Sequence, residues 1–299
     1  MGYLFLAIAL AFGIIKVYCG KRTSSVASCI YNSMLVTTVR MVLCFLIGIL
    51  IVLISGASPI ITDTTAILIA FVSGVSIAAF TTTWLLAVRT NAYMIVEVFV
   101  MGGVIIPTAV SSLFYGEHIG AMQMLGICLL LVAVYCISTY RNSEKIRLSP
   151  KALILLILTA LASGISDFSQ KLYVKEVSGI DVSVFNLYTY LFAAISLFIV
   201  CLVMRVCDRG EKKPASAREI VKPIFFYVLI MAVCLFLNSY FKTCSAQYLD
   251  AVLLYPLYQS CATVLALLMS VLLFREKMTP KGIFGIVLSI VAVCFINLF

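Results

Sequence analysis

SLFYGEHIGAMQMLGICLLLVAVYCI (Ser112–Ile137) is answered in the second half of the chain by VLLFREKMTPKGIFGIVLSIVAVCFI (Val271–Ile296). Laid over one another, the stretches pair Leu113 with Leu272, Glu117 with Glu276, and Gly126–Ile127 with Gly285–Ile286. Val132–Ala133–Val134 then meets Val291–Ala292–Val293, with Ile137 on Ile296. A fainter echo links the starts of the halves, where Ala9–Leu10–Ala11 and Gly13–Ile14 match Ala160–Leu161–Ala162 and Gly164–Ile165. A repeated apolar unit is a common way to build a membrane carrier with its site between two halves.

Composition agrees with a membrane chain. Hydrophobic residues make up 64% and charged residues 11%, with a mean hydropathy of +1.18, whereas a soluble domain has about a quarter of its residues charged. A helix needs about 20 mostly apolar residues to cross the hydrocarbon and satisfies its own backbone polar groups on the way. Ten such stretches are predicted, at 2–18, 33–55, 65–88, 91–115, 120–140, 151–174, 181–205, 222–246, 248–274 and 280–299. The expectation is an all-α membrane protein of ten transmembrane helices, divided into five-helix repeats at 1–142 and 143–299. A β-barrel would need short alternating segments, and these runs are long and continuously apolar.

The apolar start lacks a basic leader, and Lys16, Lys21 and Arg22 follow it, so it reads as a retained first span. No lipidation pattern is present, and the connections are too short to hold a soluble domain. The eleven cysteines show no CxxC spacing and the single histidine is His118. Most cysteines lie inside spans as small apolar residues, so neither a disulfide, a metal site nor a cofactor is expected.

The net charge of +9 is spread over loops, which argues against nucleic-acid binding and instead sets orientation. Odd-numbered connections hold Lys16, Lys21 and Arg22; Arg89; Arg141, Lys145, Arg147 and Lys151; Arg205, Arg209, Lys212, Lys213, Arg218 and Lys222; and Arg275, Lys277 and Lys281. Even-numbered connections hold only Lys171, Lys175 and Lys242 at their edges, while Arg40 lies within the second span. This bias of 17 to 3 puts odd connections in the cytoplasm and both termini outside. With five spans per unit, the second unit enters the membrane in the opposite sense, an inverted repeat suited to alternating access.

Ten spans in two units, a Glu just after the fourth and ninth spans, and a Gly about nine residues later together resemble the EamA-type drug/metabolite transporter superfamily. The matching positions are Glu117/Gly126 and Glu276/Gly285, with Arg40 early in the second span as a further recurring feature. The resemblance covers essentially the whole chain. It implies a carrier of small metabolites, often an exporter of amino acids or related compounds, with its cavity between the units. Members are often drawn with cytoplasmic termini, the reverse of the charge bias here. Glu117 and Glu276 each stand before a helix whose N-terminal dipole a carboxylate complements, and the glycines allow close packing.

Charges within spans are costly and are functional candidates. At about 1.5 Å per residue, Arg40 lies ~10 Å from the inner end of the second span and Glu97 ~9 Å from that of the fourth. Asp167 lies ~10 Å below the outer end of the sixth span, with Lys171 one turn on along the same face. Lys242 sits at a similar level in the eighth. Arg40–Glu97 inside and Asp167–Lys171/Lys242 outside are therefore expected to be contacts that form alternately as each mouth closes. Lys171 and Lys242 could instead snorkel to the interface. Ser163, Ser166, Asp167, Gln170 and Lys171 form one polar stripe, and Asn238, Lys242 and Ser245 another. Tyr255, Tyr258 and Gln259 surround Pro256, and Tyr93 shares a face with Glu97. Trp84, the only tryptophan, falls where an interfacial belt residue would.

The expected function is secondary transport of a small polar metabolite, an amino acid or organic anion, across the cell membrane, in the export direction. Protons or another ion would supply coupling, and a homodimer is compatible with the layout. A flippase for lipids or lipid-linked sugars could use the same fold. An intramembrane enzyme fits poorly, because the lone His118, the missing protease motifs and the missing phosphate-binding loop leave no catalytic set. The basic balance of the span interiors favours an anionic or zwitterionic cargo.

Overall fold

The computed structural model describes residues 1–24, 30–90, 93–117, 120–138, 150–207 and 221–272, and short helical pieces between 280 and 295. Its helices are α1 (Gly2–Ser24), α2 (Ile30–Ser55), α3 (Thr64–Thr90), α4 (Tyr93–Gly102), α5 (Ile105–Tyr115), α6 (Ala121–Ser138), α7 (Pro150–Glu176), α8 (Val182–Cys207), α9 (Phe225–Ala246) and α10 (Ala251–Leu272). A 3₁₀ turn, Lys222–Ile224, leads into α9. No strand occurs among the described residues. Six helices, namely α1, α2, α3, α7, α8 and α9 with its leading turn, are long and apolar enough to cross a membrane; Phe99–Tyr115, Ala121–Ala133 and Ala251–Leu265 are shorter apolar stretches.

Two expected spans differ from the helices found. α1 continues to Ser24, where Arg22 near the helix C-terminus complements its dipole and lies 5.7 Å over the Tyr18 ring. The fourth span, expected as one helix over 91–115, is two, broken at Gly103–Val104. There the amides of Gly103, Val104 and Ile106 bond three residues back rather than four, which tightens the turn where Gly102–Gly103 weakens the helix. A side chain at Gly103 would strike the Ala160 carbonyl of α7, and one at Gly164 would strike the Gly103 carbonyl. The break is thus a place where two backbones touch. Gly74 of α3 meets the backbone of α8 at Thr189 in the same way.

Several hydroxyls inside the spans return to their own helices. Thr37, Thr81, Thr82, Thr108, Thr159 and Ser169 all donate to carbonyls one turn back, which satisfies a polar group without water. The exterior carries exposed Leu46, Leu50, Leu53, Leu113, Phe198 and Phe226, while Arg40, Asp167, Lys171 and Lys242 are buried. Apolar outside and charged inside is the pattern that lipid selects. α1 packs chiefly on α9, α3 on α7, and α2 on α8, so the stripes of α7 and α9 face the same interior as Lys16, Arg40 and Glu97.

Candidate functional site

Residues of eight helices line one cavity: Lys16 (α1), Arg40 (α2), Trp84 (α3), Glu97 (α4), Asp167 and Gln170 (α7), Tyr190 (α8), Asn238, Ser239 and Lys242 (α9), and Tyr258 and Gln259 (α10). It offers about 100 Å³ to the centres of water-sized spheres, several times the ~10–15 Å³ that one water needs on that measure. Leu10, Ile14, Val17, Ile77, Phe80, Met231 and Met269 complete a largely apolar wall.

At one end Lys242 Nζ donates to Asp167 Oδ1 at 2.5 Å and lies 5.1 Å over the Tyr258 ring. Asn238, one turn before Lys242, donates through Nδ2 to Ala9 O and to Tyr258 Oη, both at 2.6 Å. Gln170 donates to Ser239 Oγ at 3.3 Å, and Ser239 donates in turn to Asn186 Oδ1 at 2.7 Å. These bonds tie α1, α7, α8, α9 and α10 into one polar floor. The i, i+4 spacing of Asn238 and Lys242 puts both on the inward face of α9.

Beyond this floor lies the face that carries the chain's N-terminus. Lys171 is directed there, away from the cavity. Its Nζ is 3.3 Å from Glu117 Oε1 and donates to Leu249 O at 3.0 Å, whereas Asp167 takes Lys242 alone of the two lysines. Glu117 Oε2 accepts the amides of Ala251 at 2.8 Å and Val252 at 3.2 Å. The carboxylate therefore complements a helix N-terminus as expected, but that of α10 in the other half rather than that of the helix following it. The left-handed Gly116 (φ +63°), which ends α5, turns the chain so that Glu117 reaches across. Tyr115 Oη to Glu176 at 3.0 Å and Ser245 Oγ to Gly2 O at 2.9 Å add to this closed layer. Neither Lys171 nor Lys242 snorkels: they are 2% and 8% exposed.

The opposite end of the cavity holds Arg40, Trp84 and Glu97, and Lys16 lies between the two ends, within electrostatic reach of Lys242 and Asp167 as well as of Glu97 and Arg40. Trp84 faces inward, not toward the interface, and its Nε1 donates to Glu97 Oε1 at 2.9 Å. Gly20 makes room for the indole, since any side chain there would meet its ring. The expected Arg40–Glu97 pair is not formed. Arg40 Nη1 instead points at Met231 Sδ, 3.2 Å away, while Nε and Nη2 have no hydrogen-bond partner.

Of the expected site residues, Arg40, Glu97, Asp167, Gln170, Asn238, Lys242, Tyr258 and Gln259 line the cavity. Lys171 sits in the closed layer, and Tyr255 is packed in the core with Leu6, Ala9, Val104 and Leu254. The Tyr93 side chain, His118 and Glu276 lie outside the described residues. Lys16, Trp84, Tyr190 and Ser239 were not expected there. Lys16 had been counted as part of a connection; it lies within α1, because the helix extends past it. A signal for it existed: continuing the Gly13–Gly164 register by three residues puts Lys16 opposite Asp167.

Among solved proteins, a crystal structure superposes with a TM-score of 0.67 over 97% of this chain and 96% of its own, at 13% identity. That likeness speaks for the fold alone. No curated protein matches the sequence. The model of the EamA-like transporter family matches residues 150–298, which include the charged stripes on α7 and α9. Through that matched half, the chain belongs to the EamA-like transporter family, a family of membrane carriers of the drug/metabolite superfamily.

Proposed function

We propose that this protein is a secondary transporter of the cell membrane that exports a small polar metabolite, an amino acid or organic anion, by alternating access. The observation that carries the reading is the charged cavity between helices of both halves, shut toward the N-terminal face by the Glu117–Lys171–α10 contacts. Helix pairing supports two inverted five-helix units, 1–142 and 143–299. If α1, α2 and α3 correspond to α7, α8 and α9, exchanging the units turns the α1–α9 contact into α7–α3 and leaves α2–α8 unchanged, and these are the principal packings. Such a pair lets each half adopt the other's conformation and open the opposite side. Purified protein in proteoliposomes, loaded with a metabolite panel, tests this: saturable efflux of at least one amino acid or organic anion is expected, and none with any compound would refute it.

Both termini are placed outside on the charge bias. A cysteine introduced between Ser58 and Thr64 should react with an impermeant reagent from outside, and one beside Lys212 only after permeabilisation. The reverse pattern would invert the orientation and the transport direction with it.

Proton coupling falls to Glu97 or Asp167, the two carboxylates that line the cavity. Glu97→Gln and Asp167→Asn should each preserve folding, and at least one should abolish accumulation driven by a pH gradient. Full response by both variants would move coupling elsewhere.

A further inference from the structure

The described cavity lining contains three cations and two carboxylates: Lys16, Arg40 and Lys242 against Glu97 and Asp167. Lys242 is used by Asp167, and Glu97 accepts from Trp84. Arg40 is 2% exposed and, among the described residues, makes no ion pair and has one hydrogen-bond contact, to a thioether, a weak acceptor for a cation. A buried guanidinium left in that condition is costly unless something anionic, or water, completes it.

Which nitrogens are unused is informative. Nε and Nη2 are the two that lie on the same edge of the guanidinium, so their N–H bonds run parallel. That edge is the fork that grips two oxygens of one carboxylate or phosphate. The remaining corner, Nη1, is occupied by Met231 Sδ, which fixes how the plane lies. Tyr190, Cys44 and Lys16 lie within electrostatic reach. Both nitrogens are buried in this state, and the apolar side chains of Ile77, Phe80, Trp84, Met231 and Leu235 line the same cavity.

We infer that the Nε–Nη2 edge of Arg40 is the seat for the oxyanion of the cargo, a small organic anion whose apolar body lies against Trp84, Phe80 and Met231. The inference rests on the transporter reading and narrows it. It assigns a supporting charge to Lys16, which is within electrostatic reach of Arg40, and it makes carboxylates and phosphate monoesters with branched or aromatic bodies the ligand class. A cationic or neutral analogue of the same shape lacks what the fork requires.

Because the chain has one tryptophan and it lines the cavity, its fluorescence reports binding without any transport assay. Full-length protein in nanodiscs is titrated with 4-methylpentanoate, isopentyl phosphate, 4-methylpentanamide and isopentylamine, which share a body and differ in the head. At least one of the two anions should change Trp84 emission saturably, with the amide and amine roughly tenfold or more weaker. The stronger anion identifies the head as carboxylate or phosphate. Arg40→Lys keeps the charge and loses the fork, and should weaken the better anion by roughly tenfold; Arg40→Gln should weaken it further. Equal binding of amine or amide to the wild type would overturn the inference, and this comparison needs no variant. Unchanged anion binding by Arg40→Lys and Arg40→Gln would overturn it as well. If proteoliposomes export nothing while the head-group series holds, the transporter reading fails and the anion seat stands.

Discussion

Asp167→Ala is expected to lower the stability of the protein in detergent by about 3 kcal/mol, toward the low end for breaking a buried ion pair because the cavity side admits water. The cause is the lysine left behind. Lys242 is 8% exposed, and Asp167 is its only carboxylate partner within ion-pair distance among the described residues. Adding Lys242→Met should recover most of the loss, since an apolar side chain of similar length replaces a charge that no longer has a counterion. Transport should not recover with stability. The same variant should also shift the population toward the state open at the N-terminal face, read by spin-label distances across that face, while Glu97→Ala should favour opening at the other side. A cost below about 1 kcal/mol for Asp167→Ala, as for a surface pair, would mean that the contact is solvated and holds nothing shut.

Besides a 3.9 Å contact with the exposed Lys175, worth little at the surface, Glu117→Ala removes two things at once, and they can be separated. One is the partner of Lys171, a lysine 2% exposed; the other is the acceptor for the Ala251 and Val252 amides at the start of α10. The first loss belongs with broken buried pairs at about 3–5 kcal/mol, and the second with lost helix caps at about 1 kcal/mol. Chemical unfolding should therefore show Glu117→Ala among the most destabilising single changes in the chain. Lys171→Met in the same protein should restore the larger part and leave the cap deficit. Full restoration would show that the cap contributes nothing, and no restoration would show that the ion pair contributes nothing.

Much of the fold was legible in the sequence because lipid imposes a simple rule on length and composition. Apolar runs placed α2, α3 and α6 to α10 to within a few residues, while α1 passes its expected end, the fourth span is two helices, and the tenth lies largely outside the described residues. The stripes of α7 and α9 face inward, since polar groups at i, i+3 and i+4 share a side. What hydropathy does not encode is rotation about the helix axis relative to neighbours, or which loop crosses to which helix. Trp84 has the depth of an interfacial residue, yet it faces the interior because Gly20 opposite leaves space for the ring. Lys171 has the spacing to meet Asp167, but Glu117, far away in the chain, comes within 3.3 Å and takes it. The break at Gly103 follows from contact with Ala160, a tertiary fact that a Gly–Gly pair only permits. Lys16 was hidden by its charge, which resembled the end of a span; the Gly13–Gly164 register, which sets it opposite Asp167, was the clue.

Alternating access through this cavity is open to one direct measurement. Ser163 lines the cavity on α7, and in an otherwise cysteine-free, transport-competent chain Ser163→Cys places a single thiol there. In proteoliposomes of uniform orientation, an impermeant thiol reagent is supplied either outside or trapped inside, with and without transported substrate. The account predicts modification from each side, slowed by saturating substrate in both cases. Reaction from one side only, under every condition, would contradict it.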